Sequence, residues 1–282
     1  MMNKYTSYVA KKPDTNGFIK YNQEENTIWA ALVKQQMDIL PGRACNEFMH
    51  GLATLNLCED KIPQLDEINK ILQKTTGWKV TGVPALISFD RFFKLLANKE
   101  FPVATFIRRK DEFKYIEEPD IFHEIFGHCP LLTNPSFAKF THTYGQLGYA
   151  ASKEDRVYLA RLYWMTVEFG LIQSKEGLRI YGGGILSSPG ETIHALESKK
   201  AIRHLFDPVE ALRTPYRIDI MQPVYYIIES LYELEELSKK NIMQMVEEAK
   251  AKGMHKPLFP PKNKQTSYVS SDQSNLSEQE RI

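Results

Sequence analysis

The sequence predicts an α+β fold, predominantly helical, organised as a single domain with a few short strands forming a small sheet. Three observations carry this. Apolar residues recur three and four apart through most of the 282 residues. The β-branched and aromatic runs are short and bounded by Gly, Pro and Ser. Helix-start signals recur, at Ser88, Pro119-Asp120, Ser188-Pro189 and Asp207-Pro208.

Residues 1–20 are expected to form a mobile or loosely docked arm. Glu24 to Leu40 then shows helical spacing through Ile28, Leu32 and Gln35–Gln36, with Trp29 and Val33 alongside, and Pro41-Gly42 ends it. A second helix is read through Phe48, Leu52 and Leu55, and a third from Pro63 through Leu65, Ile68, Ile71 and Leu72 to Gly77. Nothing in these three demands chemistry. From Val80 a short apolar run leads to Ser88, an N-cap for a helix bearing Phe92, Phe93, Leu95 and Leu96. Phe101 to Arg108 reads as a strand. Arg109 and Lys110 read as a solvated turn, whereas Arg108, at the strand end, is placed to offer a forked guanidinium to a carboxylate.

The segment from Pro119 to His128 puts two imidazoles and two carboxylates among four large apolar side chains. Pro119 and Asp120 start a helix, while Gly127 and Pro130 mark its stop. Ile121 and Ile125, like Phe122 and Phe126, stand four apart and define an apolar face. The zinc-protease signature H-E-x-x-H begins the same way but ends one residue sooner. Five residues at about 100° each leave His123 and His128 about 140° apart on a regular helix, so both chelate only if Gly127 ends or distorts it. A pair of hydrogen-bonded core histidines is the other reading of this stretch.

Phe137, Phe140, Tyr144 and Leu147 continue a helical stripe, followed by a helix from Lys153 to Phe169 with Val157, Ala160, Trp164, Val167 and Leu171 on its buried face. Glu168 sits beside that face, where an unpaired carboxylate is costly. Either Arg161 pairs with it or a metal does. Two His and one carboxylate with open positions suit non-haem Fe(II) chemistry.

Leu178–Tyr181 reads as a strand, Gly182-Gly183-Gly184 as a flexible turn, and Ser188-Pro189-Gly190-Glu191 as a capping box. Asp207-Pro208 starts a short helix, Arg217 to Met221 reads as a strand, and Tyr225 to about Lys252 as one long final helix. Its Met243 and Met245 are expected to fill core or interface space. Residues 256–282 are expected to be a mobile tail.

Composition excludes several classes. A net charge of +1 with dispersed Lys and Arg gives no nucleic-acid footprint. Met1 to Pro13 has no apolar signal-like stretch, no later stretch suits a bilayer, and a cytoplasmic location is expected. Cys45, Cys58 and Cys129 lack metal spacing and are read as reduced, buried thiols.

Three motifs in order carry a resemblance. Pro119-Asp120-Ile121-x-His123-Glu124-x-x-Gly127-His128-x-Pro130, Tyr163-Trp164-x-x-Val167-Glu168-Phe169-Gly170 and Tyr181-Gly182-x-Gly184-x-Leu186-Ser187-Ser188 resemble the pterin-dependent aromatic amino acid hydroxylases, most closely their phenylalanine-hydroxylating bacterial members. The resemblance spans about Val80 to Ser238. It implies a catalytic iron and pterin domain over residues 21–255, with Fe(II) and a tetrahydropterin as cofactors, O2 as cosubstrate and L-phenylalanine as substrate. It implies His123, His128 and Glu168 as iron ligands. It places Phe92, Ile87, Glu124 and Ala160 beside the pterin. Arg108 is implied as the partner of the substrate carboxylate and Asp120 as the acid that orients it, with Pro119, Trp164 and Gly184 around the substrate. Ser187 is implied to support a ligand.

Ile116 departs from the Thr of the mammalian phenylalanine enzyme, which leaves that contact to the substrate carboxylate open. Ile218 replaces the Asp of the tyrosine enzyme. Within the family tryptophan hydroxylation is the alternative, against which Trp164 argues; outside it, a metal-dependent hydrolase. A monomer or homodimer without a tetramerising tail is expected.

Overall fold

The computed structural model describes residues 8–84, 87–113, 116 and 118–260. Residues 1–7 of the expected arm, Ala85 and Leu86 before Ser88, and residues 261–282 of the expected tail lie outside them. Three helices come first: α1 (Gln23–Ile39), α2 (Asn46–Leu55) and α3 (Leu65–Thr75). The α1 helix starts on a reciprocal capping box between Asn22 and Glu25 and buries Ile28, Trp29, Leu32, Val33 and Gln36, the face its spacing predicts. Residues 8–20 are pinned to the body. Tyr8 stacks on Phe106 at 4.1 Å, the Thr105 hydroxyl donates to the Lys11 carbonyl, and Ile19 is buried.

Next, β1 (Lys79–Val83), α4 (Phe89–Ala97) and β2 (Glu100–Ala104) form a crossover whose two strands pair in parallel. Ser88 caps α4 as expected. The strand ends at Ala104, short of Arg108. A widened π-helical turn, Phe122–His128, passes into α5 (Cys129–Leu132), followed by α6 (Pro135–Ala150) and α7 (Lys153–Tyr163). A second π-helical turn, Trp164–Glu168, extends α7.

The chain continues through β3 (Leu171–Ser174), β4 (Gly177–Ile180), α8 (Gly183–Leu186), α9 (Pro189–Glu197), β5 (Ile202–Leu205), α10 (Pro208–Arg213), β6 (Val224–Ile228), α11 (Leu231–Ser238) and α12 (Ile242–Lys252). The four strands order as β4-β3-β6-β5, with a β3–β4 hairpin and parallel β3–β6 and β5–β6 pairs. Among the described residues the fold is thus mostly helical with two small sheets.

Several elements differ from the sequence reading. Val224–Ile228, most of which from Tyr225 onward reads as the opening of a long helix, is a central strand: its β-branched and aromatic side chains are suited to the sheet it completes. The remaining helix divides where Asn241 caps α12. Arg217 to Met221 forms turns, with Arg217 forked onto Asp219. In α7 the inward residues are Leu159, Leu162 and Tyr163, while Val157 is 48 % exposed. A 3.6-residue period cannot be extended across the widened turn, which shifts the register.

The core explains the placement of the histidine segment. Phe122 and Phe126 stack at 4.8 Å, with Trp29 edge-on to the first and Phe48 edge-on to the second. Ile121 and Ile125 are fully buried beside them. Four apolar anchors hold this turn, and His123 emerges between them only half-buried. Among the described residues no helix is long and apolar enough to cross a membrane.

Candidate metal centre

Two widened turns supply the polar cluster. In a π-helix hydrogen bonds run from residue i to i+5, so side chains five apart return to one face. That is the His123 to His128 spacing. The helix is distorted there, and it runs on through Gly127. The second widened turn closes with the Phe169 N–H donating to the Trp164 carbonyl, five residues back, and presents Glu168. His123 Nε2 and His128 Nε2 are 3.2 Å apart. Glu168 places Oε1 3.3 Å from His128 Nε2 and Oε2 3.8 Å from His123 Nε2. Among the described residues these three form the group able to hold a metal ion, with all ligand atoms within 4.8 Å of one another.

The protonation states favour that role. Burial pushes the His123 ring down to about 4, so its imidazole is neutral near pH 7. Burial raises the Glu168 carboxyl, but charge and hydrogen bonding from His128, the nearby His123 and the Gly184 N–H outweigh it and hold it below the ordinary carboxylate range. Two imidazole nitrogens and a carboxylate converge within 4.8 Å of one another, and this donor set is the one non-haem Fe(II) takes. The residues present therefore fit ferrous iron. Arg161, the alternative partner for Glu168, lies instead over the Tyr158 ring at 4.8 Å.

The glycine run read as a flexible turn is a packing requirement. A methyl group on Gly183 would lie 2.5 Å from the His128 ring, and one on Gly127 would lie 2.7 Å from the Gly183 carbonyl. Only hydrogen there lets α8 close over the cluster. Ser187, at the end of α8, lies with Oγ 2.9 Å from His123 Nδ1.

Arg108 and Asp120 form a buried pair. The guanidinium donates from Nε and Nη2 to the two carboxylate oxygens at 2.8 and 2.7 Å, and the Arg108 backbone N–H adds a third bond. Asp120 also accepts from the His123 N–H at 3.0 Å. Burial would raise the Asp120 carboxyl, but the Arg108 charge and these bonds hold it below the usual range. Arg109 and Lys110 are exposed, as their sequence implied.

The Phe92 ring is edge-on to Tyr163 at 5.4 Å. Burial, then the charges of Glu168 and Glu124, raise the Tyr163 phenol, and burial with Glu168 and Asp120 raises the Glu124 carboxyl. Ile87, Ala160 and Pro119 are half-buried. Ile116 packs on Ala104 and Phe106. Trp164 lies between Phe169 and Tyr216, at 4.6 and 4.3 Å.

Sequence reading gave no role at the site to Tyr163, Gly183, Tyr216 or Gln222. Tyr163 and Gly183 stand inside recognised motifs; Tyr216 and Gln222 come from a loop with no local signal. The capping reading of Glu191 was half right: Ser188 caps α9, but the Glu191 side chain turns inward. Cys45 and Cys129 are buried free thiols and Cys58 is half-buried. The Cys129 Sγ donates to the Glu124 carbonyl, away from the ligand cluster. A separate groove of about 450 Å³, lined by His204, Asp207, Tyr226 and His255, contains none of the residues of the cluster.

Comparison with known proteins follows the same lines. Residues 4–254 match the family described as biopterin-dependent aromatic amino acid hydroxylase. A phenylalanine-4-hydroxylase of Pseudomonas aeruginosa is 59% identical over 259 residues, covering 92% of this chain and 98% of the relative. One from Vibrio cholerae is 55% identical, covering 92% and 90%. The apo structure of the cold-active phenylalanine hydroxylase from Colwellia psychrerythraea superposes with a TM-score of 0.88 at 55% identity, over 90% of this chain and 98% of that one. The Chromobacterium violaceum phenylalanine hydroxylase with bound oxidised Fe(III) gives 0.82 at 41% identity, over 87% and 89%. Two histidines, a glutamate and the glycines that let them meet thus stand in a chain matched almost end to end, and that chain belongs to the biopterin-dependent aromatic amino acid hydroxylase family.

Proposed function

We propose that the protein hydroxylates L-phenylalanine to L-tyrosine with O2 and a tetrahydropterin at a non-haem Fe(II) centre. The convergence of His123, His128 and Glu168 from two widened turns carries this reading. His123, His128 and Glu168 would hold Fe(II), where a reduced pterin would supply the two electrons for O2 cleavage, one oxygen atom going to the aromatic ring and the other to the pterin.

The chain's own residues bind, orient and exclude water. The Arg108 bonds to Asp120 use Nε and Nη2, so Nη1 is the donor that faces the substrate carboxylate. Asp120 fixes the fork and, through the His123 N–H, references it to the ligand turn. Trp164 and Pro119 form walls for the substrate ring, with Gly184 leaving room beside Glu168. Phe92 supports the pterin ring by stacking, with Ile87, Glu124 and Ala160 around it. Ser187 holds the His123 ring. The aromatic shell of Tyr163, Trp164 and Phe169 keeps the site dry.

The test is oxygen uptake with Fe(II), reduced pterin and each aromatic amino acid in turn. Uptake coupled to tyrosine formation from phenylalanine is expected. His123→Ala should lose stoichiometric iron and turnover while keeping its far-ultraviolet circular dichroism; full iron retention in that variant would overturn the ligand assignment.

A further inference from the structure

The indole of Trp164 is constrained in two different ways. Phe169 and Tyr216 cover its two faces, with interplanar angles of 29° and 14°. Face stacking leaves a ring free to turn and slide in its own plane. A hydrogen bond at the ring edge removes that freedom. Trp164 Nε1 donates to Gln222 Oε1 at 3.1 Å.

Gln222 is itself fixed on every side. It is 1% exposed. Its Nε2 donates to the Arg217 and Ile220 carbonyls at 2.7 and 3.0 Å, which sets the orientation of the amide and leaves Oε1 as the acceptor. Its backbone is gripped by two residues three apart on α9: Glu191 Oε1 accepts the Gln222 N–H at 3.0 Å, and His194 Nε2 donates to the Gln222 carbonyl at 3.1 Å. Glu191 is in turn held by the Tyr225 hydroxyl. The α9 helix follows directly on Ser187, whose hydroxyl meets the ring of His123. One rigid piece of chain therefore references both a metal-site histidine and the edge of the indole.

We propose that Gln222 is a positioning residue that determines ring specificity: clamped by Glu191 and His194, its Oε1 locks the in-plane orientation of Trp164 and so sets the pocket for a benzene ring rather than an indole. This rests on Trp164 lining the substrate ring in the function proposed above. Loss of the bond frees the indole to rotate between Phe169 and Tyr216, which loosens the fit to phenylalanine and enlarges the space open to tryptophan.

The experiment uses the iron-loaded full chain with saturating tetrahydropterin and compares phenylalanine with tryptophan for the parent, Gln222→Leu, Gln222→Met, Trp164→Phe and the two Gln222 variants in the Trp164→Phe background. Calorimetric binding of each amino acid to the anaerobic ferrous protein is the readout independent of turnover. Gln222→Met, of matched length, carries the test if Gln222→Leu fails to fold. The expected result is a KM for phenylalanine raised about tenfold with kcat little changed, and a phenylalanine-to-tryptophan preference lowered about tenfold, in kcat/KM and in affinity alike. In the Trp164→Phe background the Gln222 substitutions should add less than about twofold, because the partner is already gone. An unmoved preference, or an equal effect in both backgrounds, overturns the inference while leaving the proposed function standing. A parent that turns over neither amino acid overturns both.

Discussion

Ser187 Oγ lies 2.9 Å from His123 Nδ1 and donates its single proton to the Gly183 carbonyl at 2.8 Å. A hydroxyl whose proton is committed can only accept from the ring. His123 therefore carries its proton on Nδ1, and the lone pair of Nε2 faces His128 and Glu168. The tautomer that leaves Nε2 open for a metal is set by a residue outside the His123, His128 and Glu168 cluster.

Ser187→Ala should weaken Fe(II) retention by about 10- to 100-fold while changing thermal stability little, since the ring loses its orienting bond and its tautomer preference. Competitive chelator titration measures this. An affinity equal to that of the parent would rule out the role.

Arg108→Lys should raise the KM for phenylalanine at least tenfold with a smaller effect on kcat. Lysine offers a point charge, and it cannot hold both Asp120 oxygens while presenting a further donor in plane. Removing the partner is a different matter. Asp120→Ala leaves a guanidinium buried without its counter-charge, which costs about 3–5 kcal/mol and should be seen as an early urea transition. If Asp120→Ala unfolds like the parent, the pair is not a structural support.

Gly183→Ala should disable metal binding, because the added methyl group meets the His128 ring at 2.5 Å and ring or helix must move. Iron stoichiometry after reconstitution is the measurement, and a full complement would show that α8 can retreat without cost.

Glu191 gives a pH signature. Burial lifts its carboxyl from the ordinary 4.5 to about 7, against the lowering effect of the Tyr225 and Gln222 bonds. The folded state thus binds the proton more tightly than the unfolded chain does. Its contribution to stability is complete below pH 4.5 and is lost as pH rises from 4.5 through about 7. Glu191→Gln, uncharged throughout, should flatten the stability profile across that window by about 3 kcal/mol relative to the parent. Denaturant unfolding of both proteins at a series of pH values gives the comparison; parallel profiles would count against a proton held at Glu191.

Much of the site was legible because its chemistry is local in sequence. His123, His128 and Glu168 each stand inside an apolar pattern that tells which side of the chain is anchored, and a carboxylate beside a buried face requires a partner. Arg108 was legible as a fork in search of a carboxylate. The strand Val224–Ile228 was not, since a short apolar run fits a buried helix segment as well as a strand. The Glu191 side chain was misread because a capping box and an inward carboxylate share one spacing, and only the loop carrying Gln222 decides between them.

By itself the sequence determined the donor types, their order along the chain, the helical character of the fold and the family, because residue identity and periodicity are written in one dimension. The tertiary structure alone decided that both ligand turns widen, that Gly183 lies against His128, and that a distant loop holds the edge of Trp164. Those outcomes depend on how closely separate segments approach in space, and close approach is set by packing between elements, which no single stretch of sequence contains.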